Sequence, residues 1–247
     1  MWSMPFKEHA LFEPPPNPSA PIFRYMDLAK FVSLLDTRAL VFARADLLGD
    51  AFEGSVTQAN MRLRPEWTKK LAATAIAELD YYRHQAPRWT FVNCWTASPT
   101  ESVAMWRLYV GAGNGLAVES SYERLVSALG GKRDVYVGTV KYVDWQTEAI
   151  PEGNLLVTFL HKRAGFDYER EVRAIVSDVP QKNGVIDKDF EPPPGLPVPV
   201  DVRRLIARVR LSPVADRWYH QVVRSLIAKY GYKLEVVQSD LSGEPVF

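Results

Sequence analysis

Three short segments carry residue types that could do chemistry. The first is Tyr168-Glu169-Arg170-Glu171-Val172-Arg173. Read as a strand, its alternation puts Glu169, Glu171 and Arg173 on one face, with the two carboxylates ~7 Å apart. Like charges at that distance repel unless a cation or a ligand lies between them. Arg173 can be that cation for structural reasons. The functional alternative is a carboxylate aimed at a sugar or at a developing positive charge. The second segment is Phe23-Arg24-Tyr25, an arginine inside an apolar strand. Burying it is expensive without an anion, so it faces either a ligand or a sheet-edge carboxylate. The third is Cys94-Trp95-Thr96-Ala97-Ser98, small hydroxyl residues where a strand ends before a helix. Such a place offers hydroxyls and free backbone N–H groups to a ligand. Ser98 can equally cap the next helix, and Thr96 stays open.

Other familiar chemistry is poorly represented. His9, His84, His161 and His220 are scattered without the i, i+4 pairing of a zinc helix. There is no Walker-type phosphate loop and no G-x-S-x-G nucleophile elbow. Gly111-Ala112-Gly113-Asn114-Gly115 follows a helix pattern, whereas a dinucleotide fingerprint follows a strand. Cys94 has no CxxC partner and reads as a buried thiol.

The elements that must position these residues can be read in outline. Residues 1–20 form a proline-rich tail, with Pro14-Pro15-Pro16-Asn17-Pro18 favouring a solvated, extended conformation. The remainder, 21–247, reads as one domain. Pro21–Tyr25 is a strand, Asp27 caps a helix over Leu28–Leu35, and Leu40–Ala43 is the next strand. Residues 45–55 are a loop. Pro65 opens a helix to about His84, which Pro87 ends. Trp89–Trp95 is a strand, and Ser98-Pro99-Thr100-Glu101 has capping-box spacing for a helix through Tyr109. Leu116–Glu119 is a strand, and Ser121 caps a helix to Leu129. Val135–Val143 is one long strand, Leu155–Lys162 a short helix, and Glu171–Val176 a strand. Residues 180–199 hold six prolines and read as a surface crossing outside the core. Leu205–Leu211 is a strand, Ser212-Pro213 opens a final helix ended by Gly231, and Tyr232–Val237 closes the sheet. Without regular βαβ alternation, the class is α+β, a single domain of mixed or antiparallel sheets flanked by helices.

Composition narrows the classes. The 247 residues are 47% hydrophobic and 24% charged, which excludes disorder and fibrous repeats. No apolar run reaches the ~20 residues of a membrane helix, so no membrane partner is expected. The single cysteine and the absence of a leader pattern at the start fit the cytoplasm. The 30 basic and 29 acidic side chains give no overall basic excess for nucleic acid. A local patch at Arg203, Arg204, Arg208, Arg210 and Arg217 is either a binding stripe or a strand with solvated arginines.

The motifs also support a resemblance. Phe23-Arg24-Tyr25, Phe42-Ala43-Arg44-Ala45-Asp46, Asp50-Ala51-Phe52-Glu53-Gly54, Cys94-Trp95-Thr96, Met105-Trp106-Arg107-Leu108-Tyr109, Gly115-Leu116-Ala117-Val118 and Tyr168–Arg173 occur in one order. As a set they resemble a bacterial family of unknown function, sometimes described as abortive phage-infection proteins. The opening strand, helix and strand also resemble ADP-ribosyltransferase folds. Those carry Arg or His on an early strand, a hydroxyl residue on a middle strand and Glu, often Glu-x-Glu, on a late one. The resemblance implies an NAD-consuming transferase, an effector of phage defence or a toxin, with NAD as substrate and a nucleic-acid or protein acceptor. It implies that Glu171 stabilises an oxocarbenium-like state and that Glu169 orients or deprotonates the acceptor. Arg24 would hold an NAD phosphate or the adenosine ribose. Thr96 (or Ser98) would fix the nicotinamide ribose, and Tyr25 or Trp95 would stack on nicotinamide. Two other readings stand beside it: a noncatalytic nucleotide- or RNA-binding module, and an interaction subunit of a defence system that meets a partner protein through its proline tracts.

Overall fold

The computed structural model describes residues 5–243. The chain runs β1 (Pro21–Met26), α1 (Leu28–Thr37), β2 (Ala39–Arg44), α2 (Gln58–Thr68), α3 (Ala73–Trp89), β3 (Thr90–Ala97) and α4 (Val103–Tyr109). It continues with β4 (Leu116–Ser121), α5 (Tyr122–Ala128), β5 (Tyr136–Thr139), β6 (Lys141–Val143), β7 (His161–Arg163) and β8 (Glu171–Ser177). It closes with β9 (Gln181–Lys182), β10 (Val185–Ile186), β11 (Gly195–Pro199), α6 (Val202–Leu205), β12 (Arg208–Leu211), α7 (Arg217–Lys229) and β13 (Val236–Gln238). The class is α+β, as the element pattern predicts.

The main sheet has nine strands, and it forks at β3. One edge of β3 pairs with β8 from Thr90 to Thr96, and β8 pairs onward with β5. The opposite edge is shared. Near its start β3 meets β2, with Ala43 opposite Val92. Near its end it meets β1, with Phe23 opposite Thr96. One arm continues from β1 through β4 and β12 to β13, and the other from β2 to β11. Between the arms, Asn93, Cys94 and Trp95 have no strand paired on this second edge among the described residues. Buried backbone polar groups need partners, and side chains reach across the gap. Asn93 Nδ2 donates to Val41 O at 3.0 Å, and Arg24 Nη1 donates to Cys94 O at 2.6 Å.

Of three apolar clusters among the described residues, one packs β1 and β4 against α4 around Phe23, Tyr25 and Trp106, and the two larger ones hold the arms of the fork. The larger lies between one sheet face and helices α1, α5 and α7, with Phe31, Leu35, Phe42, Trp95, Leu125 and Val223 buried in it. Asp27 caps α1 by accepting the Lys30 N–H at 2.8 Å, which fixes where that helix leaves β1. The smaller core, on the other face, gathers Val92, Ile175, Phe159, Leu160 and Phe12.

Several boundaries differ from the sequence reading. From Pro5 to residue 20 the proline-rich segment is mostly exposed but anchored at a few points, with Pro5, Phe12 and Pro15 buried, while residues 1–4 of the expected tail lie outside the described residues. Phe12 seals the smaller core, Val135 N–H donates to Pro5 O at 2.8 Å, and Thr139 N–H donates to Glu13 O at 2.9 Å. Pro5 and Pro18 accept amide N–H groups through their carbonyls, a role that needs no N–H of their own. Within the crossing at 180–199, Gly195–Pro199 is an edge strand on β2 with Leu196 and Val198 buried. Its prolines alternate, so their missing N–H groups fall on the side away from β2. The helix read from Pro65 to His84 is two helices, with Pro65 late in α2 and Pro87 near the end of α3. Val140 divides the predicted long strand into β5 and β6, which belong to different sheets. Of the predicted strand Leu205–Leu211, Leu205 ends the helical turn α6 and only Arg208–Leu211 is extended, as β12.

Candidate active site

A cavity of about 360 Å³ occupies the fork. It is bounded by β1, β2, α1 and the uncovered edge of β3, with Arg24, Thr96, Met105, Tyr109 and Glu171 among its lining residues. A second cavity, of about 310 Å³, adjoins it and contains Glu53, Lys162, Phe166, Glu169 and Arg173. Cys94, Tyr109 and Glu171 line both. Glu171 therefore stands where the two spaces meet.

The register explains its position. Phe23 is paired with Thr96 and Thr96 with Glu171, so the three side chains form a row across β1, β3 and β8 on one sheet face. Arg173 lies two residues along on the same face. Glu169 reaches the row differently from the predicted alternation. It ends a 3-10 turn (Ala164–Glu169), and Arg170 then adopts a left-handed conformation at φ 44° before β8 starts. The turn folds the Glu169 carboxylate back beside that of Glu171.

The cation expected between the carboxylates is chiefly Lys162. Its Nζ is 2.5 Å from Glu169 Oε2 and 3.0 Å from Glu171 Oε1. Arg173 Nε donates to Glu171 Oε2 at 2.5 Å, while its two terminal nitrogens pair with Glu53 at 2.7 Å each. Glu171 N–H donates to Tyr142 Oη at 2.9 Å. Lys162 and Tyr142 are register partners in the separate parallel pair β6–β7. This small pair thus brings a cation and a hydroxyl to the start of β8.

These surroundings separate the two glutamates electrically. Burial and the contact with Glu171 push Glu169 up to about 7 despite Lys162. Burial also opposes charge on Glu171, but Arg173, the hydrogen bond with Glu169 and Lys162 hold it well below the usual carboxylate range. At neutral pH one carboxylate is anionic and its neighbour can take or give a proton, the division of labour acid–base sites use. Burial and the Glu171 charge raise the Cys94 thiol, which disfavours the thiolate a nucleophile needs.

Arg24 contrasts with this crowded cluster. It forms no ion pair among the described residues, and its one hydrogen bond there goes to Cys94 O. Burial lowers its pKa. A partly buried guanidinium without a carboxylate is poised for an anion.

The other predicted site residues divide. Thr96 lies beside Glu171 and lines the fork cavity. Tyr25 lines it too, but its hydroxyl accepts the Ser102 N–H at 2.9 Å and its ring packs edge-on against Trp106 at 4.9 Å. Trp95 is a wall rather than a free stacking surface, since its ring is 1% exposed and its indole N–H donates to Asn93 Oδ1 at 2.8 Å. Ser98 lines neither cavity. Nor does it cap α4: Ser102 does, accepting the Met105 N–H, because Pro99 and Thr100 remain in the loop. Lys162, Glu53, Tyr142 and Tyr109 join the site without having been singled out as site residues. A signal for Glu53 was its place in Asp50-Ala51-Phe52-Glu53-Gly54, a turn closed by Gly54 at φ 73°. A Cβ there would fall 2.3 Å from the Phe159 ring.

The arginine stripe is largely neutralised. Arg210 pairs with Glu101, Glu119 and Asp240, and Arg208 with Glu119 and Glu235, so these arginines do not simply face water. Among the described residues no His, Cys, Asp and Glu cluster suited to a metal forms, and no helix is long and apolar enough to cross a membrane.

No protein-family model matches the chain, and no curated protein sequence does. Solved structures of DarT from Thermus sp. 2.9 are similar at low identity. The one with carba-NAD+ has 10% identity and a TM-score of 0.40, over 92% of this chain and 98% of that one. The one with ADP-ribosylated ssDNA has 11% identity and a TM-score of 0.40, over 93% and 98%. The one with NAD+ has 12% identity and a TM-score of 0.37, over 90% and 96%.

Proposed function

We propose that the chain is an ADP-ribosyltransferase-like enzyme that binds NAD in the fork of the sheet and transfers ADP-ribose to an acceptor entering by the second cavity. The observation that carries this reading is the pairing, on one cavity, of an Arg24 guanidinium without a carboxylate partner among the described residues and a Glu171 carboxylate held well below its usual range by Arg173 and Lys162. NAD requires both. Its diphosphate is anionic, and its nicotinamide–ribose bond breaks through an oxocarbenium-like state that a carboxylate stabilises.

In this reading Arg24 holds the diphosphate in the fork. Thr96, the cross-strand neighbour of Glu171, fixes a ribose hydroxyl, and Tyr25 forms a fixed aromatic wall. The bond from ribose C1′ to the nicotinamide nitrogen breaks, and its electron pair leaves with neutral nicotinamide. The Glu171 carboxylate faces the positive charge that develops on the ribose. A nucleophilic atom of the acceptor, protein or nucleic acid, then bonds to C1′ and loses its proton to Glu169. A carboxylate titrating near 7 suits that last step.

Binding is tested first. Saturation at about 100 times Kd stabilises a folded protein by ~2.7 kcal/mol, several degrees in melting temperature. NAD should raise the melting temperature of the wild type and leave that of Arg24→Met unmoved. Equal shifts in both proteins would remove Arg24 from the site, and no shift in either would count against the reading.

A further inference from the structure

The Glu171 carboxylate is crowded by positive charge in a way transfer chemistry alone does not require. Arg173 already pairs with Glu171, and its other arm is held by Glu53 and by Phe159 O. Lys162 adds a second cation, which shares Glu171 Oε1 with Arg173 and also reaches Glu169. It is 91% shielded, and its Nζ meets Glu169, Glu171 and, at 3.8 Å, Glu53 Oε1. The Phe166 ring closes the remaining side, 4.5 Å from Nζ. So enclosed an ammonium is held in place rather than free to seek a ligand.

We propose that Lys162 is a positioning residue, clamping the Glu169 and Glu171 carboxylates together and keeping the pair anionic toward the substrate space. This rests on the NAD reading for its purpose but not for its physics. Two carboxylates this close cannot both stay ionised without a shared cation. Arg173 cannot serve Glu169, because its three nitrogens are taken by Glu171, Glu53 and Phe159 O. Five charged groups make the cluster: carboxylates Glu53, Glu169 and Glu171 against Lys162 and Arg173. It carries one net negative charge when Glu169 is ionised and none when Glu169 is protonated. The polar groups that face Glu169 from the packed elements are Lys162 of β7, Glu171 and Arg173 of β8, Glu53 of the turn after β2, Tyr142 of β6 and Tyr109 of α4. The two tyrosines are held neutral by burial. Lys162 is thus the cation that decides whether Glu169 can be ionised beside Glu171.

The test uses the full chain with 13C-labelled glutamate carboxyls, the Glu169 resonance being assigned by its loss in Glu169→Gln. In Lys162→Met the Glu169 midpoint should rise by about one pH unit or more, whereas Lys162→Arg should hold it near the wild-type value. Lys162→Gln, which keeps a hydrogen-bond donor and removes only the charge, serves if Lys162→Met does not fold. The acid limb of NAD cleavage should move with the midpoint, so the deficit of the neutral variants is larger at pH 7 than at pH 9. An unmoved Glu169 midpoint in the Met and Gln variants would overturn the proposal. A midpoint that moves, in a wild type that releases no nicotinamide, would uphold the role of Lys162 and overturn the NAD reading instead.

Discussion

Thr96 and Glu171 face each other across the antiparallel β3–β8 pair, at the point where the far edge of β3 is taken up by β1. A hydroxyl and an anionic carboxylate are thereby fixed by backbone hydrogen bonding, with no mobile loop between them. For Glu171→Gln the expected result is a rate loss of ~10²–10³ with the fold intact. The variant leaves Glu53 and Glu169 against Lys162 and Arg173, a balanced cluster. Steady-state rates beside a circular-dichroism melt check it, and a loss of rate that merely follows a loss of fold would refute it.

Glu169 sets the pH dependence. Its folded value of about 7 exceeds its ordinary 4.5, so it is protonated in the folded protein through a window where the unfolded chain has released the proton. Its contribution to stability is complete below 4.5 and is lost as pH rises through about 7. Activity runs the opposite way and should rise through about 7 as the carboxylate becomes able to accept a proton. Glu169→Gln should flatten the melting-temperature profile between those two values and lower the rate at its plateau. A stability profile unchanged by the substitution would show that Glu169 is not raised.

Glu171 has the reverse sign. Held well below its ordinary 4.5, it contributes stability above that value that is lost as pH falls toward its folded value. Acid melts of the wild type should therefore show a loss below about 4.5 that Glu171→Gln diminishes.

Arg173 is structural before it is anything else. Its side chain is 1% exposed and pairs with carboxylates that are themselves buried. Removing one partner from such a pair costs ~3–5 kcal/mol, because the other charge stays buried without compensation. Arg173→Met should lower stability by that order in urea unfolding, and a cost under about 1 kcal/mol would contradict the buried network. Arg24→Met should behave differently. No carboxylate is abandoned, so its melting temperature should stay near or above that of the wild type.

Local signals on the chain were a fair guide to what local chemistry decides. The cap at Asp27, the cap at Ser121 and the strand at Glu171 rest on side chain-to-backbone bonds or alternation within a few residues. What was not legible depends on distant segments. Pro197 and Pro199 argue against a strand until β2 supplies an edge that needs none of their N–H groups. Lys162 reads as the end of a helix, and only the pairing of β6 with β7 carries it to Glu169 and Glu171. The fork itself has no motif, since it comes from β1 and β2 sharing one edge of β3. Arg24, Thr96 and Glu171 line one cavity because each lies on a strand of that junction. Ser98 lies beyond the strand end and lines neither cavity, and Trp95 packs in the larger core while forming part of the fork cavity's wall.

The central claim is that the fork is an NAD-cleaving site, and nicotinamide release from NAD by the purified chain tests it most directly. Wild type and Glu171→Gln are measured side by side at pH 8, with protein and nucleic-acid acceptors supplied. The account predicts release by the wild type and a rate lower by ~10²–10³ in the variant. Equal release by both proteins, or none from a wild type that NAD also fails to stabilise, would contradict it.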